Sequence, residues 1–320
     1  MNEFRDDFHW MQRERKGLFP WVADHPWRLL RQMRGPFCDH PFCRHGNENG
    51  IELVNHLLHN KSVDNELFDL FIKALIRAEV RFISRFVPQR SHEERLTGNL
   101  VSEIDAALFM IKDAFRESAV ARYGVAKEID FFYYDLSRGG RVEKQTGADL
   151  GFIVVVDLPD HPFTVRSIVL QAKKCDDRNP SIDLSQLRTL TKNWPHASGY
   201  LFYDMSVRRL VSPLVLETTD TLFSKLAEET EKTSQENASL DFNKIMDQGA
   251  PLSLYLFNQI VEKGNGAAHD NFAQAFDSFR RPCQQRPNEP DEFNGRLGIV
   301  SIGRSISIGV NSDGGLDVKV

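Results

Sequence analysis

The chain has 320 residues, 41% of them hydrophobic and 27% charged, with a formal net charge of −5. That length holds one large domain or two modest ones, and no apolar run reaches the roughly 20 residues of a membrane-crossing helix. The negative balance excludes a surface built throughout for nucleic acid, though not a local basic groove, because attraction depends on where the charges lie.

The opening residues, MNEFRDDFHWMQRERKG, are polar and lack the apolar centre of a secretory leader. Cys38, Cys43, Cys175 and Cys283 have no disulfide-framework spacing. Both features set the expectation of a reducing, cytoplasmic compartment. Residues 1–36 place Trp10, Trp21 and Trp27 among Arg13, Arg15, Lys16, Arg28, Arg31 and Arg34. Such a segment reads as short helices packing tryptophan onto the body, or as an arm that stacks on bases.

Next comes FCDHPFCRHGNENGIELVNHLLHN. Cys38 and Cys43 have four residues between them, twelve more lead to His56, and His59 follows one helical turn later. This approximates zinc-finger spacing, so Cys38, Cys43, His56 and His59 are candidate ligands of one structural Zn2+, with His40 and His45 competing. The alternative is a pair of ordinary thiols beside a His-rich turn.

Apolar residues from Leu67 to Phe82 recur at helical steps, predicting a helix over Val63–Val87 that Pro88 ends. Arg77, Arg81 and Arg85 share another face, as a solvated stripe or one that tracks phosphates. A second helix is expected over Ser91–Tyr123, with Ser91 and Glu94 as a capping box. Its apolar stripe runs through Leu96, Leu100, Ile104, Ala107, Ile111 and Phe115. Glu93 falls in the middle of that stripe, and Glu94 and Glu103 fall near its edges. An acid on a buried stripe needs a partner, a proton or a metal; in a first turn it also simply favours the helix dipole.

Ile129–Tyr134 is a predicted strand, and Leu136–Gln145, with Gly139–Gly140, a loop. Leu150–Val156 and Val165–Leu170 then read as two strands of a hairpin, apolar on both faces. Asp149 begins the first, and Gln171 and Lys173 close the second. Residues two apart on a strand share a face, so the hairpin brings a carboxylate, an amide and an ammonium together. A helix over Asp183–Asn193, capped by Ser181 or Asp183 and carrying Gln186 in its first turn, precedes a strand at Tyr200–Tyr203. The α-β-β-β-α-β order predicts an α/β (mixed α+β) fold, a mixed sheet flanked by helices.

Beyond Asp204, Leu210–Leu216 suits a strand, Thr221–Thr233 a charged helix and SQENAS a surface loop. Helices are expected over Leu252–Glu262 and Asn271–Phe279, an irregular connection over RRPCQQRPNEPDE, β-structure over 296–310 and a last strand at Leu316–Val320. Three parts follow: a helical N-terminal region to residue 90, a core over 91–216, and a helical and β C-terminal extension over 217–320.

Asp149, Gln171-Ala172-Lys173 at the end of the next strand and an acidic helix upstream resemble the PD-(D/E)XK (restriction-endonuclease-like) nuclease superfamily. More narrowly, they resemble its Q-x-K variant in Mrr-like and phage-defence nucleases. The resemblance covers about residues 91–204. It implies that Asp149, Gln171 and Glu93 hold Mg2+ or Mn2+ and that Lys173 acts beside the attacking water. Glu103 is the alternative helix acid. Gln186 matches a glutamine some relatives carry, and Lys174 is a further candidate substrate contact that also reads as an ordinary solvated lysine. Gln171 stands where an acid is commoner and removes one negative charge, which Glu93 or Glu143 would have to offset. The implied activity is metal-dependent hydrolysis of DNA in restriction or anti-phage defence, regulated by a partner protein, self-association or a trigger, with no membrane involved. An inactive nuclease-fold binding module and a zinc-dependent adaptor are the alternatives.

Overall fold

The computed structural model describes residues 63–89, 91–135, 148–176, 179–195, 197–205, 212–220, 222–226, 236–260, 266–280, 296–310 and 316–319, with residue 58. The N-terminal tryptophan arm, Cys38, Cys43, His56, His59 and Glu143 lie outside the described residues, as does the Gly139–Gly140 loop.

Two long helices come first. α1 (Glu66–Arg85) starts where the Asn65 side chain accepts the Leu67 N–H, an N-cap that satisfies one of the orphan donors of the first turn. α2 (Glu93–Tyr123) packs along it and ends at Gly124, whose φ of 73° is the left-handed conformation that closes many helices. The expected capping box is not formed. Ser91 is buried, His92 occupies the cap position, and its side chain makes no capping hydrogen bond. Between the helices, the Arg81 Nε and Arg85 Nη1 of α1 donate to Glu103 of α2 at 2.9 and 3.4 Å. Two of the three arginines of the stripe, half-buried Arg81 and exposed Arg85, therefore pair with a buried carboxylate of the neighbouring helix.

The strands are β1 (Ile129–Asp135), β2 (Leu150–Val156), β3 (Thr164–Cys175), β4 (Ser181–Asp183), β5 (Ser198–Asp204), β6 (Leu214–Glu217), β7 (Asn237–Ser239), β8 (Ala250–Pro251), β9 (Ala267–His269), β10 (Arg296–Ile302), β11 (Ser307–Val310) and β12 (Leu316–Lys319). Helices α3 (Leu184–Asn193), α4 (Phe242–Gln248), α5 (Leu252–Asn258) and α6 (Phe272–Arg280) complete the elements. The main sheet runs β1-β10-β2-β3-β5-β6-β8, with β9 added against β3. It is mixed: β10 is parallel to β2 and β5 to β3, whereas β2 and β3 form the antiparallel hairpin.

Both centre strands are buried along nearly their whole length, as apolar runs of that kind require. One face carries α1 and α2, with Phe82 of α1 packing its ring 5.6 Å from that of Tyr203 on β5. The opposite face receives α6, which comes so close that a Cβ on Gly151 would stand 2.4 Å from Phe279. Glycine there is a packing requirement.

Two expectations change. The segment 234–239 is not merely a surface loop: Asn237–Ser239 pairs with β4, laying Ala238 opposite Ile182, both buried. The extension from residue 217 is not an appendage either. β10 pairs with β1 on one side and β2 on the other, so the chain's last third supplies an interior strand of the sheet.

Candidate functional site

β3 runs further than its neighbour. The hairpin ladder ends with Leu150 opposite Leu170 and the Asp149 N–H bonded to the Leu170 carbonyl at 3.0 Å, while β3 continues to Cys175 alongside β5. The backbone groups of Ala172 and Lys174 thus face an edge that β2 no longer covers. Each N–H would cost free energy if left unpaired in a buried place. Two carboxylates answer them. Asp149 Oδ2 accepts the Ala172 N–H at 2.9 Å, and Glu93 Oε1, from the first turn of α2, accepts the Lys174 N–H at 2.8 Å. Alternate amides on one strand edge lie about 6.6 Å apart, so a strand end predicted from the hairpin and a helix acid predicted from periodicity meet on neighbouring positions.

Gln171 lies against Asp149. Its Nε2 donates to Asp149 Oδ2 in a short hydrogen bond and to the Ala172 carbonyl at 3.3 Å. Its Oε1 is buried with no hydrogen-bond partner among the described residues. Register places Gln171 opposite Tyr200 across β3 and β5, on a common face, and Asp149, just before β2, reaches Gln171 through its side chain. Lys173 follows on the same face, half-buried. Asp183, the N-cap of α3, faces this group. Its carboxyl is held below the usual range by the Ser185 hydroxyl, by the Ser185 and Gln186 N–H groups and by the nearby Lys173 ammonium, against partial desolvation.

The other face of the same strand ends is structural in character. Lys174 Nζ pairs with Asp176 at 2.9 Å, and the Tyr203 hydroxyl bonds Thr97 Oγ1 at 3.0 Å. Burial raises the Tyr203 hydroxyl above its ordinary value, and the Asp149 and Glu93 carboxylates push it in the same direction.

Of the residues chosen from sequence, Asp149, Gln171, Lys173 and Glu93 come together. Gln186 sits on the first turn of α3 beside Asp183, its N–H 3.2 Å from the Asp183 carboxylate. Lys174 points to the opposite face. Glu103 does not join the site: ten residues along α2 from Glu93 is about 15 Å of helix, and its two oxygens are taken by Arg81 and Arg85. Sequence reading missed Asp183 as a neighbour of Lys173, and Tyr200. Asp183 had been legible only as a helix cap. Tyr200 lay in an apolar strand with nothing local to distinguish it from core.

Among the described residues, no group of three or more His, Cys, Asp or Glu side chains is arranged to hold a metal ion. Closed zinc or calcium cages are therefore a poor fit to this site. A magnesium-type ion, which keeps several waters and takes few protein oxygens, is a better one. The Asp149 carboxylate and the Ala172 carbonyl, which share the Gln171 Nε2 donor, and the unpartnered Oε1 of that same amide supply oxygen donors of that kind.

No protein-family model, no curated protein and no solved structure matches this chain.

Proposed function

We propose that this chain is a metal-dependent nuclease built on a PD-(D/E)XK-type hairpin, hydrolysing phosphodiester bonds of DNA. The observation that carries the reading is the convergence of Asp149, Gln171 and Glu93 on one strand edge, with Lys173 on the adjoining face. Asp149, Gln171 and the Ala172 carbonyl would hold Mg2+ or Mn2+, with Glu93 alongside. The ion would supply neutralisation of phosphate charge and hydroxide at neutral pH.

The chain's own groups account for the rest. Asp149 is fixed by two donors and cannot swing away from the strand end. The Lys173 ammonium, in whose neighbourhood the Asp183 carboxyl lies, is placed to stabilise negative charge developing on a phosphoryl oxygen or on the attacking water. Gln171 contributes an oxygen without a second negative charge, which lowers cation affinity relative to a carboxylate and leaves more of the work to Asp149 and Glu93.

One observation favours a second reading, a nuclease-fold binding module without catalysis. Asp149 Oδ2 already accepts from both an amide and a backbone N–H, as a carboxylate that only caps a strand edge would.

Incubation of the purified chain with double-stranded DNA, single-stranded DNA and RNA, with Mg2+, Mn2+ or EDTA, separates the two. Cutting that appears with the ion and stops with EDTA is expected. Binding of nucleic acid without cutting under every condition, including in co-purified material carrying its activators, would leave the module reading.

A further inference from the structure

Two tyrosines on β5 sit three residues apart and differ in one respect. Tyr203, on the helix-covered face, has Thr97 for its hydroxyl. Tyr200, on the site face, is fully buried and its hydroxyl has no hydrogen-bond partner among the described residues. Its ring is well held, stacked 5.0 Å from Phe223 and 6.0 Å from Phe202. The unpartnered hydroxyl is therefore not an accident of a loose side chain. Directly across the strand pair stands Gln171, whose Oε1 is the other unpartnered buried atom of the row.

Two buried groups without partners on one pair of register partners are costly, and a bound ligand or water is one way such groups are completed. Their chemistry narrows the ligand. An amide oxygen only accepts hydrogen bonds or coordinates, so it repels a phosphate oxygen and suits a cation or a water on that cation. A phenol hydroxyl both donates and accepts, which suits water. The hydroxyl stays protonated: burial raises it, and the Asp183 and Asp149 carboxylates raise it further.

Resting on the nuclease reading, we propose that Tyr200 is a positioning residue of the site, its hydroxyl holding a coordinated water of the divalent cation whose inner shell includes Gln171 Oε1. Outer-shell partners of this kind commonly alter metal affinity by about 10- to 100-fold when removed. A structural tyrosine would have no such effect.

The test is Mn2+ titration of the full chain by calorimetry, without nucleic acid, alongside thermal unfolding of the metal-free protein. Tyr200→Phe keeps the stacked ring and removes only the oxygen. It is expected to weaken Mn2+ binding about tenfold. The metal-free melting temperature should stay level or rise, because an unpartnered buried hydroxyl has been removed. Tyr203→Phe, which breaks the bond to Thr97, should do the reverse: a lower melting temperature and unchanged Mn2+ affinity. Wild-type affinity in Tyr200→Phe overturns the proposal, as does a fall in its metal-free melting temperature. Wild-type protein that takes up no Mn2+ at all overturns the nuclease reading with it, whereas wild-type protein that binds and cuts while Tyr200→Phe is unaltered overturns this inference alone.

Discussion

Glu79 is a single acid whose burial reaches beyond its own helix. It lies on α1, wholly buried, and accepts from the Ser253 N–H at 2.8 Å and the Ser253 hydroxyl at 2.6 Å, tying α1 to the start of α5. Burial lifts its carboxyl from 4.5 to about 7, the hydrogen bonds from Ser253 only partly opposing it. A raised folded-state value means the folded protein holds a proton that the unfolded chain has already released. The associated stability is full below pH 4.5 and is lost as pH rises to about 7. At about 1.4 kcal/mol per pH unit the loss is on the order of 3 kcal/mol. Urea midpoints measured from pH 4.5 to 8 should fall through this window, and Glu79→Gln should flatten the change. A Glu79→Gln profile with the wild-type slope would contradict it. The same scale shows what sequence can and cannot convey about a site. Asp149 and Lys173 were legible because polar groups at the ends of apolar strands stand out. Tyr200 was not, because an aromatic residue in a buried strand looks like core until its hydroxyl is followed to its neighbours.

At the scale of elements, β3 is the one that makes the site. Its apolar run stops at Leu170, with Gln171 and Lys173 closing the strand in the sequence reading, and the strand runs on past them to Cys175. The continuation depends on β5, which pairs with those residues in parallel and is distant in sequence. The overshoot then leaves bare N–H groups for Asp149 and Glu93 to answer. The start of α2 is the weaker partner in that arrangement. Ser91 matched the capping pattern in sequence, but the turn places His92 at the cap with no side-chain bond. Exposed His92→Ser should therefore stabilise the protein by about 0.5–1 kcal/mol, read as a higher urea midpoint with an unchanged slope. An unchanged or lower midpoint would mean that the first turn of α2 is already satisfied by other groups.

At the scale of the molecule, the mixed α/β character and most elements were legible in the hydrophobic periodicity, whereas the strand order was not. Pairing of β10 with β2 joins residues about 145 positions apart, and no local pattern carries such information. Its consequence is that residues 296–302 are part of the core: Leu297, Ile299, Val300 and Ile302 are buried between β1 and β2. Deleting residues 296–320 should leave two unpaired strand edges and abolish cooperative unfolding, with aggregation on purification. A truncated chain that stays monomeric and melts cooperatively would show that the C-terminal third is dispensable for the sheet. Among the described residues no helix is long and apolar enough to cross a membrane.

The central claim is that Asp149 and Lys173 work together on a metal-bound phosphodiester. It is tested most directly by comparing DNA cleavage in Mg2+ or Mn2+ by the wild-type chain, Asp149→Ala and Lys173→Ala, with circular dichroism to establish that each variant is folded. The account predicts metal-dependent cutting by the wild type and a loss of at least about 100-fold in both folded variants, the scale of removing one electrostatic stabiliser. Cleavage that survives at the wild-type rate in either folded variant would contradict it.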